Sequence, residues 1–198
     1  KTYEIPVADD TIQAIKLRPI KVLPEDFGLM TYDPGFLNTA SCKSRITMID
    51  GDKGILEYRG YQIDQLAEKC SFMEVCCLLR NGELPKQAEL DQWTANVNAH
   101  AAVDASIKRV SDAMNRDAHP MGKFICAAAA LGTLHPESKK ISDPAIRDRA
   151  FYNLVGQVPT LAALGYRHSK GLPYVDPDPG LSYAANFLNM MFSTGPGY

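Results

Sequence analysis

The fold of this chain is decided by residues 35–85, which read GFLNTASCKSRITMIDGDKGILEYRGYQIDQLAEKCSFMEVCCLLRNGELP. In the first half, residues 46–49 and 55–58 flank the turn-forming loop 50–54, a pattern that predicts a β-hairpin. In the second half the apolar period becomes helical. Ser71 and Glu74 form an S-x-x-E capping box that predicts a helix over 72–80, which Asn81-Gly82 ends. The stretch therefore predicts a short hairpin followed by capped helices.

The flanking sequence extends this pattern in both directions. Residues 3–7 and 11–15 alternate apolar and polar side chains, as half-buried strands do. Downstream, the periodicity and the capping residues predict five more helices. The first runs from Pro85 to about His100, and the second has its apolar face at Val103, Ile107, Val110 and Met114. The third begins at Pro120. The fourth begins at Asp143-Pro144 and ends at Gly171, and the fifth covers 183–192 after the capping residue Ser182.

The expected fold class is mainly α, with a small β-rich region at the amino terminus. We expect residues 1–60 to form strands and the hairpin, and residues 61–198 to form helices. Pro159 lies inside the helix that begins at Pro144, and we expect it to kink or break that helix because proline lacks an N–H donor. The segment 195–198, Gly-Pro-Gly-Tyr, is loop-like, so we expect cleavage or disorder there.

Composition excludes several classes of protein. The 198 residues carry a net charge of −2, which gives no basic footprint for nucleic acid. No run approaches the roughly 18 apolar residues that a membrane span needs. The five cysteines, at 42, 70, 76, 77 and 126, are odd in number and two are adjacent. This spacing predicts free thiols in a reducing, intracellular compartment.

The titratable residues do not form a recognisable site. The four histidines do not stand at metal-ligand spacing, and we interpret the most tempting one, His119, as a helix-entry residue whose ring bonds the backbone. The loop at Asp50 and Asp52 fails as a calcium loop, because its twelfth position is Tyr61 instead of glutamate.

Two further candidates also have structural interpretations. Arg59 could contact an anionic ligand, but we expect it to pair with a carboxylate such as Asp64. Cys76 and Cys77 are expected to fill the core, since buried cysteine behaves as a small hydrophobe. The sequence therefore predicts no catalytic, substrate-binding or metal-binding residue.

Seven short blocks, taken together and in order, resemble the citrate synthase family, most closely its bacterial and plant-peroxisomal branch. They are YDPGF at 32–36, NTASC at 38–42, IDGDKGIL at 49–56, YRGY at 58–61, NGELP at 81–85, DAHPM at 117–121, and LSY at 181–183 leading into NFLNMM at 186–191.

The resemblance implies that the complete enzyme joins acetyl-CoA to oxaloacetate and releases citrate and CoA, without a metal or other cofactor. The family's catalytic histidines and aspartate, and its oxaloacetate-binding arginines, lie beyond the segment matched by residues 186–192. The resemblance therefore assigns no site residue to this chain, and neither His119 nor His168 is given a catalytic role. We expect an incomplete large domain that is inactive by itself.

The resemblance also implies a homodimer through helices at about 120–134 and 146–168, whose alanines and glycines suit close helix packing. Positions that match an NADH-binding regulatory pocket in some members hold Leu134, Asn153 and Gln157, so NADH regulation is not expected. Two alternatives stay open: part of a 2-methylcitrate synthase, or a non-catalytic helical dimerisation module. The expected compartment is the cytoplasm, or the peroxisomal or mitochondrial matrix.

Overall fold

The structure is a computed structural model that describes residues 1–194, so the loop-like end predicted at 195–198 lies outside the described residues. The chain is mainly helical, as predicted. It divides into two compact units, Lys1–Thr47 and a larger one from Met48 onward. The predicted boundary at residue 60 stays a prediction.

The first unit has little regular structure. Strand β1 (Val7–Ala8) pairs antiparallel with β2 (Thr11–Ile12), and a 3₁₀ turn follows at Ala14–Leu17. Asp9 and Asp10 both have positive φ, which tightens the connection to two residues. No side chain of residues 1–47 is buried. The alternating segments predicted at 3–7 and 11–15 therefore form only two-residue strands, since a strand's alternation gains stability only when one face is covered.

The second unit begins with the predicted hairpin and continues as helices. A three-stranded sheet has the order β3 (Thr47–Asp50), β4 (Ile55–Tyr58), β5 (Tyr61–Gln62), with Tyr58 opposite Tyr61 in the antiparallel β4–β5 pair. The helices are α1 (Ile63–Lys69), α2 (Phe72–Asn81), α3 (Gln87–Ala99), α4 (Ala105–Asp112), α5 (Pro120–Thr133), α6 (Pro144–Lys170) and α7 (Tyr183–Phe192), with a 3₁₀ turn at Pro136–Lys140.

Local capping chemistry sets most helix ends where the sequence predicts them. Glu74 N–H donates to Ser71 Oγ at 3.3 Å, and Ser71 N–H donates back to the Glu74 carboxylate at 2.6 Å. Gly82 ends α2 at φ +98°. The predicted start of the next helix at Pro85 is wrong, because Lys86 N–H donates to Glu89 Oε2 at 2.8 Å and α3 begins at Gln87.

Pro159 does not break α6, so that part of the expectation is wrong, and the expected kink stays a prediction. Proline cannot donate to the carbonyl four residues earlier, which is that of Val155. The Tyr183 hydroxyl of α7 donates to this Val155 oxygen at 2.8 Å. The vacant acceptor is therefore satisfied from another helix, and α6 continues to Lys170, where Gly171 ends it at φ +66°.

Two hydrophobic cores lie along α6. The aromatic core is centred on the buried residues Met73, Cys77, Trp93 and Val97, with Phe151, Tyr152 and Val155 of α6 packed against them. The aliphatic core contains Ile107, Ala127, Leu131, Leu161 and Leu164. Thus α2 and α3 pack along the first half of α6, while α4 and α5 pack along its second half.

The middle of α6 lies close to the connection between α3 and α4. A Cβ added to Gly156 would lie 2.6 Å from the Val97 carbonyl oxygen. Gln157 Nε2 donates to the Ala102 carbonyl at 3.0 Å, and Thr160 Oγ1 donates to that of Ala101 at 2.7 Å. This contact separates the two cores.

Candidate functional site

The part of the chain that the structure describes contains no group of three or more His, Cys, Asp or Glu side chains that could hold a metal ion. Within residues 1–194, no helix is both long enough and apolar enough to cross a bilayer.

The histidines are each engaged by their own surroundings. His119 precedes α5, and its Nδ1 accepts the Met121 N–H at 3.2 Å, which confirms its interpretation as a helix-entry residue. His100 Nδ1 lies 2.7 Å from the Asn96 carbonyl oxygen, and His135 Nδ1 lies 3.5 Å from Glu137 Oε1. His168 is buried and belongs to a polar cluster described below.

Arg59 is a structural residue, but the predicted pairing with Asp64 is wrong. Its Nε and Nη2 donate to the Leu79 carbonyl oxygen at 3.2 and 2.7 Å. Leu79 lies in the last turn of α2, where carbonyls lack helical partners and the helix dipole is negative. Arg59 stands in the β4–β5 turn, where its φ is +53°. Its guanidinium therefore links the sheet to this end of α2.

The other candidates also have structural roles. Lys53 N–H donates to Asp50 Oδ1 at 3.0 Å, which closes the hairpin loop once compared with a calcium site. Cys77 is buried in the aromatic core and Cys76 is half-buried beside it, as predicted. Burial raises the pKa of both thiols, so they lack the thiolate character of reactive cysteines.

A groove of about 520 Å³ runs beside α2 and α3. Its lining includes Trp93, Tyr152 and the carboxylates of Glu83 and Glu89. Glu89 is already bonded to the backbone at the start of α3. The groove is a recess lined by both polar and apolar side chains, and the Cys77 thiol in its wall is buried in the aromatic core.

The outer faces of α5 and α6 are apolar and exposed. We define the α5 outer face as Gly122, Ile125, Cys126, Ala129 and Gly132, which are all exposed and recur at helical spacing. Ile125 is 62% exposed. We define the α6 outer face as the exposed Leu154 and Val158, continued by the half-buried Ala162. These are the helices for which the family resemblance implies a dimer contact, and small side chains allow close helix approach.

A polar cluster around the buried Lys123 was not predicted from the sequence. We call Lys123, Arg116, His168 and Ser169 the Lys123 cluster. Lys123 is 1% exposed, and its Nζ donates to the Arg116 carbonyl oxygen and to Ser169 Oγ, both at 2.6 Å. Its signal was present in the sequence, because Lys123 shares the helical spacing of the buried Ala127 and Leu131.

The three positions that match the NADH-binding pocket of some family members differ in their exposure. Leu134 lies at the end of α5 and is 40% exposed. Asn153 and Gln157 stand one turn apart on α6 and are buried. Gln157 is held by the α3–α4 connection, and none of the three presents a cation to a phosphate.

Comparison with known proteins identifies the family. A family model described as citrate synthase, C-terminal domain, matches residues 35–197. This chain belongs to the citrate synthase family. It is 43% identical to a citrate synthase of Dictyostelium discoideum, over 96% of this chain and 39% of the relative. It is 41% identical to a glyoxysomal citrate synthase of Cucurbita maxima, over 98% of this chain and 39% of the relative.

Solved citrate synthases share the fold. The crystal structure from Pyrobaculum aerophilum matches with a TM-score of 0.73 and 29% identity, over 99% of this chain and 47% of that chain. The ternary complex of carboxymethyl coenzyme A and oxaloacetate with the Thermoplasma acidophilum enzyme matches with a TM-score of 0.71 and 25% identity, over 78% of this chain and 40% of that chain. The present chain spans about two fifths of the length of the curated relatives.

Proposed function

We propose that this chain is part of a citrate synthase, which condenses acetyl-CoA with oxaloacetate and releases citrate and CoA. The observation that carries the proposal is the family match over residues 35–197. The relative solved with carboxymethyl coenzyme A and oxaloacetate supports the substrate pair. In this proposal acetyl-CoA is a substrate, and the reaction needs no metal or other cofactor.

We propose that the present segment supplies scaffold and dimer contacts, and that no catalytic or substrate-binding residue lies within it. This agrees with the local engagement of its polar groups: His119 at a helix start, Arg59 at a helix end and Lys123 in a closed cluster. The condensation needs a positioned base and positioned carboxylate-binding groups. These would come from polypeptide outside the 198 residues.

Release of free CoA thiol from acetyl-CoA and oxaloacetate tests both statements. The longer protein that contains this sequence is expected to release CoA only when oxaloacetate is present, and the 198-residue chain is expected to release none above the blank. Turnover by the 198-residue chain would overturn the scaffold role. A longer protein without turnover would overturn the enzyme assignment in favour of a dimerisation module.

The acyl group is tested in the same assay by replacing acetyl-CoA with propionyl-CoA. A pocket distinguishes one methylene by about 1–3 kcal/mol, or roughly 10–200-fold in kcat/KM. We expect acetyl-CoA to be preferred within that range. A preference for propionyl-CoA would identify a 2-methylcitrate synthase instead.

We further propose that the protein forms a homodimer through the α5 and α6 outer faces. Ile125→Glu places a charge on the α5 outer face without changing the interior, because Ile125 is 62% exposed. Ile141→Glu is the matched control, since Ile141 is 60% exposed but follows the Pro136–Lys140 turn. Light scattering is expected to show dissociation of the first variant only. A monodisperse wild-type monomer would contradict the proposal.

The proposed compartment is intracellular and reducing. The five free cysteines support it, as do relatives described as peroxisomal and glyoxysomal citrate synthases. Thiol titration of denatured, unreduced protein from cells is expected to count all five thiols. Fewer than five would indicate a disulfide and contradict this compartment.

A further inference from the structure

The Lys123 cluster closes the end of the helix pair at which α5 begins and α6 ends. Lys123 Nζ lies 2.6 Å from the Arg116 carbonyl oxygen, 2.6 Å from Ser169 Oγ and 3.3 Å from His168 Nδ1. An ammonium group has three N–H donors, so these three acceptors use all of them. None of the ion pairs found within residues 1–194 includes Lys123. The site is a closed cage for one cation without a carboxylate partner.

This geometry sets the protonation state of His168. An ammonium group can only donate, so His168 Nδ1 must accept, and the neutral ring carries its proton on Nε2. A proton on Nδ1 would turn a second N–H toward the Lys123 ammonium 3.3 Å away, where both residues are at least nine-tenths buried. Two like charges at this distance and burial repel strongly.

The groups that face His168 from neighbouring elements do not compensate this repulsion. Burial is the largest cause that lowers the pKa of His168, and the positive charges of Lys123 and Arg116 lower it further. Asp112 of α4 acts in the opposite direction. Asp112 is exposed, and its Oδ1 already accepts the hydroxyl of Tyr174 at 2.7 Å. The surroundings therefore favour neutral His168.

We propose that Lys123 and His168 form an acid-sensitive switch, in which protonation of His168 expels the Lys123 ammonium from its cage and releases residues 113–124. Lys123 anchors the α4–α5 connection through the Arg116 carbonyl, and it joins the first turn of α5 to the last turn of α6 through Ser169. Loss of the cage removes both attachments. The rest of the α5–α6 contact is the aliphatic core, which has no titratable member among its buried residues.

The test is a titration of the wild-type chain with two measurements between about pH 4 and 8. Histidine ring signals in NMR spectra give the His168 midpoint, which we expect below about 6.5, the value of a free side chain. Hydrogen exchange, corrected for intrinsic rates, gives the protection of residues 113–124. We expect it to fall from about pH 6.5, where the released histidine gains its proton, down to the lower midpoint of the caged His168, by up to about tenfold per pH unit for one linked group. A normal midpoint, or unchanged protection, overturns the switch.

Two variants separate His168 from the other histidine near this segment. His168→Asn keeps an acceptor near the Nδ1 position but cannot titrate, so protection should become independent of pH. His119→Asn removes the titratable cap of α5 and replaces it with a good capping residue, so the pH response should remain. A response lost in His119→Asn, or retained in His168→Asn, would contradict the proposal.

A third variant covers the case in which His168→Asn does not fold. Lys123→Met keeps the length of the side chain and removes its charge. The His168 midpoint is then expected to move upward toward 6.5, because burial remains but the repulsion is gone. A midpoint equal to that of the wild type would show that Lys123 does not control His168.

Discussion

The two halves of α6 are buried by different kinds of side chain. The first half packs aromatic rings, with the Trp93 ring centroid 5.5 Å from that of Phe151 and 5.4 Å from that of Tyr152. The second half packs branched aliphatic and alanine side chains, with Leu161 and Leu164 against α4 and α5. Leu161 and Leu164 are almost completely buried, whereas Phe151 and Tyr152 are only half-buried.

This contrast shows how one long helix can pack against two different sets of neighbouring helices. Aromatic rings fill the space between α2, α3 and α6 with few side chains. Small residues such as Ala127 let α5 approach α6 closely. Gly156 and Thr160 stand between the two regions and hold the α3–α4 connection against α6. Substitutions in the two regions should therefore change the free energy of unfolding by different amounts. The four substitutions below are ordered from the largest expected effect to the smallest.

Leu161→Ala should have the largest effect, because it leaves a cavity in the tightly packed half. Leu161 is 1% exposed, and such a truncation lowers the free energy of unfolding by about 2–5 kcal/mol. Leu188→Ala in α7, where Leu188 is 51% exposed, is the control and should change it by roughly 0.5 kcal/mol or less. Urea denaturation measures both. Equal losses would show that the aliphatic half is not tightly packed.

Gly156→Ala tests the contact between the two halves. The new Cβ would lie 2.6 Å from the Val97 carbonyl oxygen and 2.9 Å from that of His100, and backbone cannot move aside cheaply. We expect a loss of about 1–3 kcal/mol. Gly51→Ala in the hairpin loop is the control, since nothing lies within 4 Å of its added Cβ and its φ is not positive. It should stabilise the chain by about 0.4–1 kcal/mol. Thermal unfolding that shows the same sign for both would contradict the close approach.

Tyr183→Phe tests how the aromatic half tolerates Pro159. The variant keeps the ring but leaves the Val155 carbonyl without its hydroxyl donor, which should cost about 1–2 kcal/mol at neutral pH.

The same hydroxyl also predicts an alkaline response. Burial raises the pKa of Tyr183 to about 12 from its ordinary value of 10.0. The unfolded chain then loses this proton before the folded chain does, so wild-type stability should decline as the pH rises between these values. Tyr183→Phe should lose less stability over that interval. An identical decline in both proteins would assign the titration to another group.

Ser71→Ala should have the smallest effect, because it removes only the cap of α2 at the edge of the aromatic half. We expect a loss of about 1 kcal/mol, whereas Ser71→Gly should cost only a few tenths, since glycine is tolerated at this position. Urea denaturation distinguishes the two. A Ser71→Ala loss as large as that of Leu161→Ala would mean that α2 contributes more than its cap.

Much of the helical pattern could be predicted from the sequence because its signals are local. Ser71, Gly82, Ser182 and Gly171 each act within one turn of the backbone, and the structure places all four at helix ends. The predicted hairpin appears at β3 and β4 for the same reason. Pro85 and the capping box completed by Glu89 are competing signals for the start of α3. The prediction followed Pro85 and placed the helix start two residues too early.

The site-level predictions depended on partners that no local pattern reveals. His119 was interpreted correctly, because the backbone N–H that its ring accepts lies only two residues away, at Met121. Arg59 was not, because its partner Leu79 lies 20 residues further along the chain. Lys123 was overlooked because a lysine in an apolar run is expected to extend to solvent.

The sequence by itself determined the family, the mainly helical class, the hairpin and most of the helix ends, since these depend on residue order and on contacts within a few residues. Only the tertiary structure decided how α6 passes through Pro159, which two cores lie along it and which lysine of α5 is buried against it. Those outcomes need groups that are distant in sequence: Tyr183 acts on Val155 across 28 residues, and Lys123 reaches Ser169 across 46. A buried polar group is stable only when such partners arrive together, and their arrival is a property of packing.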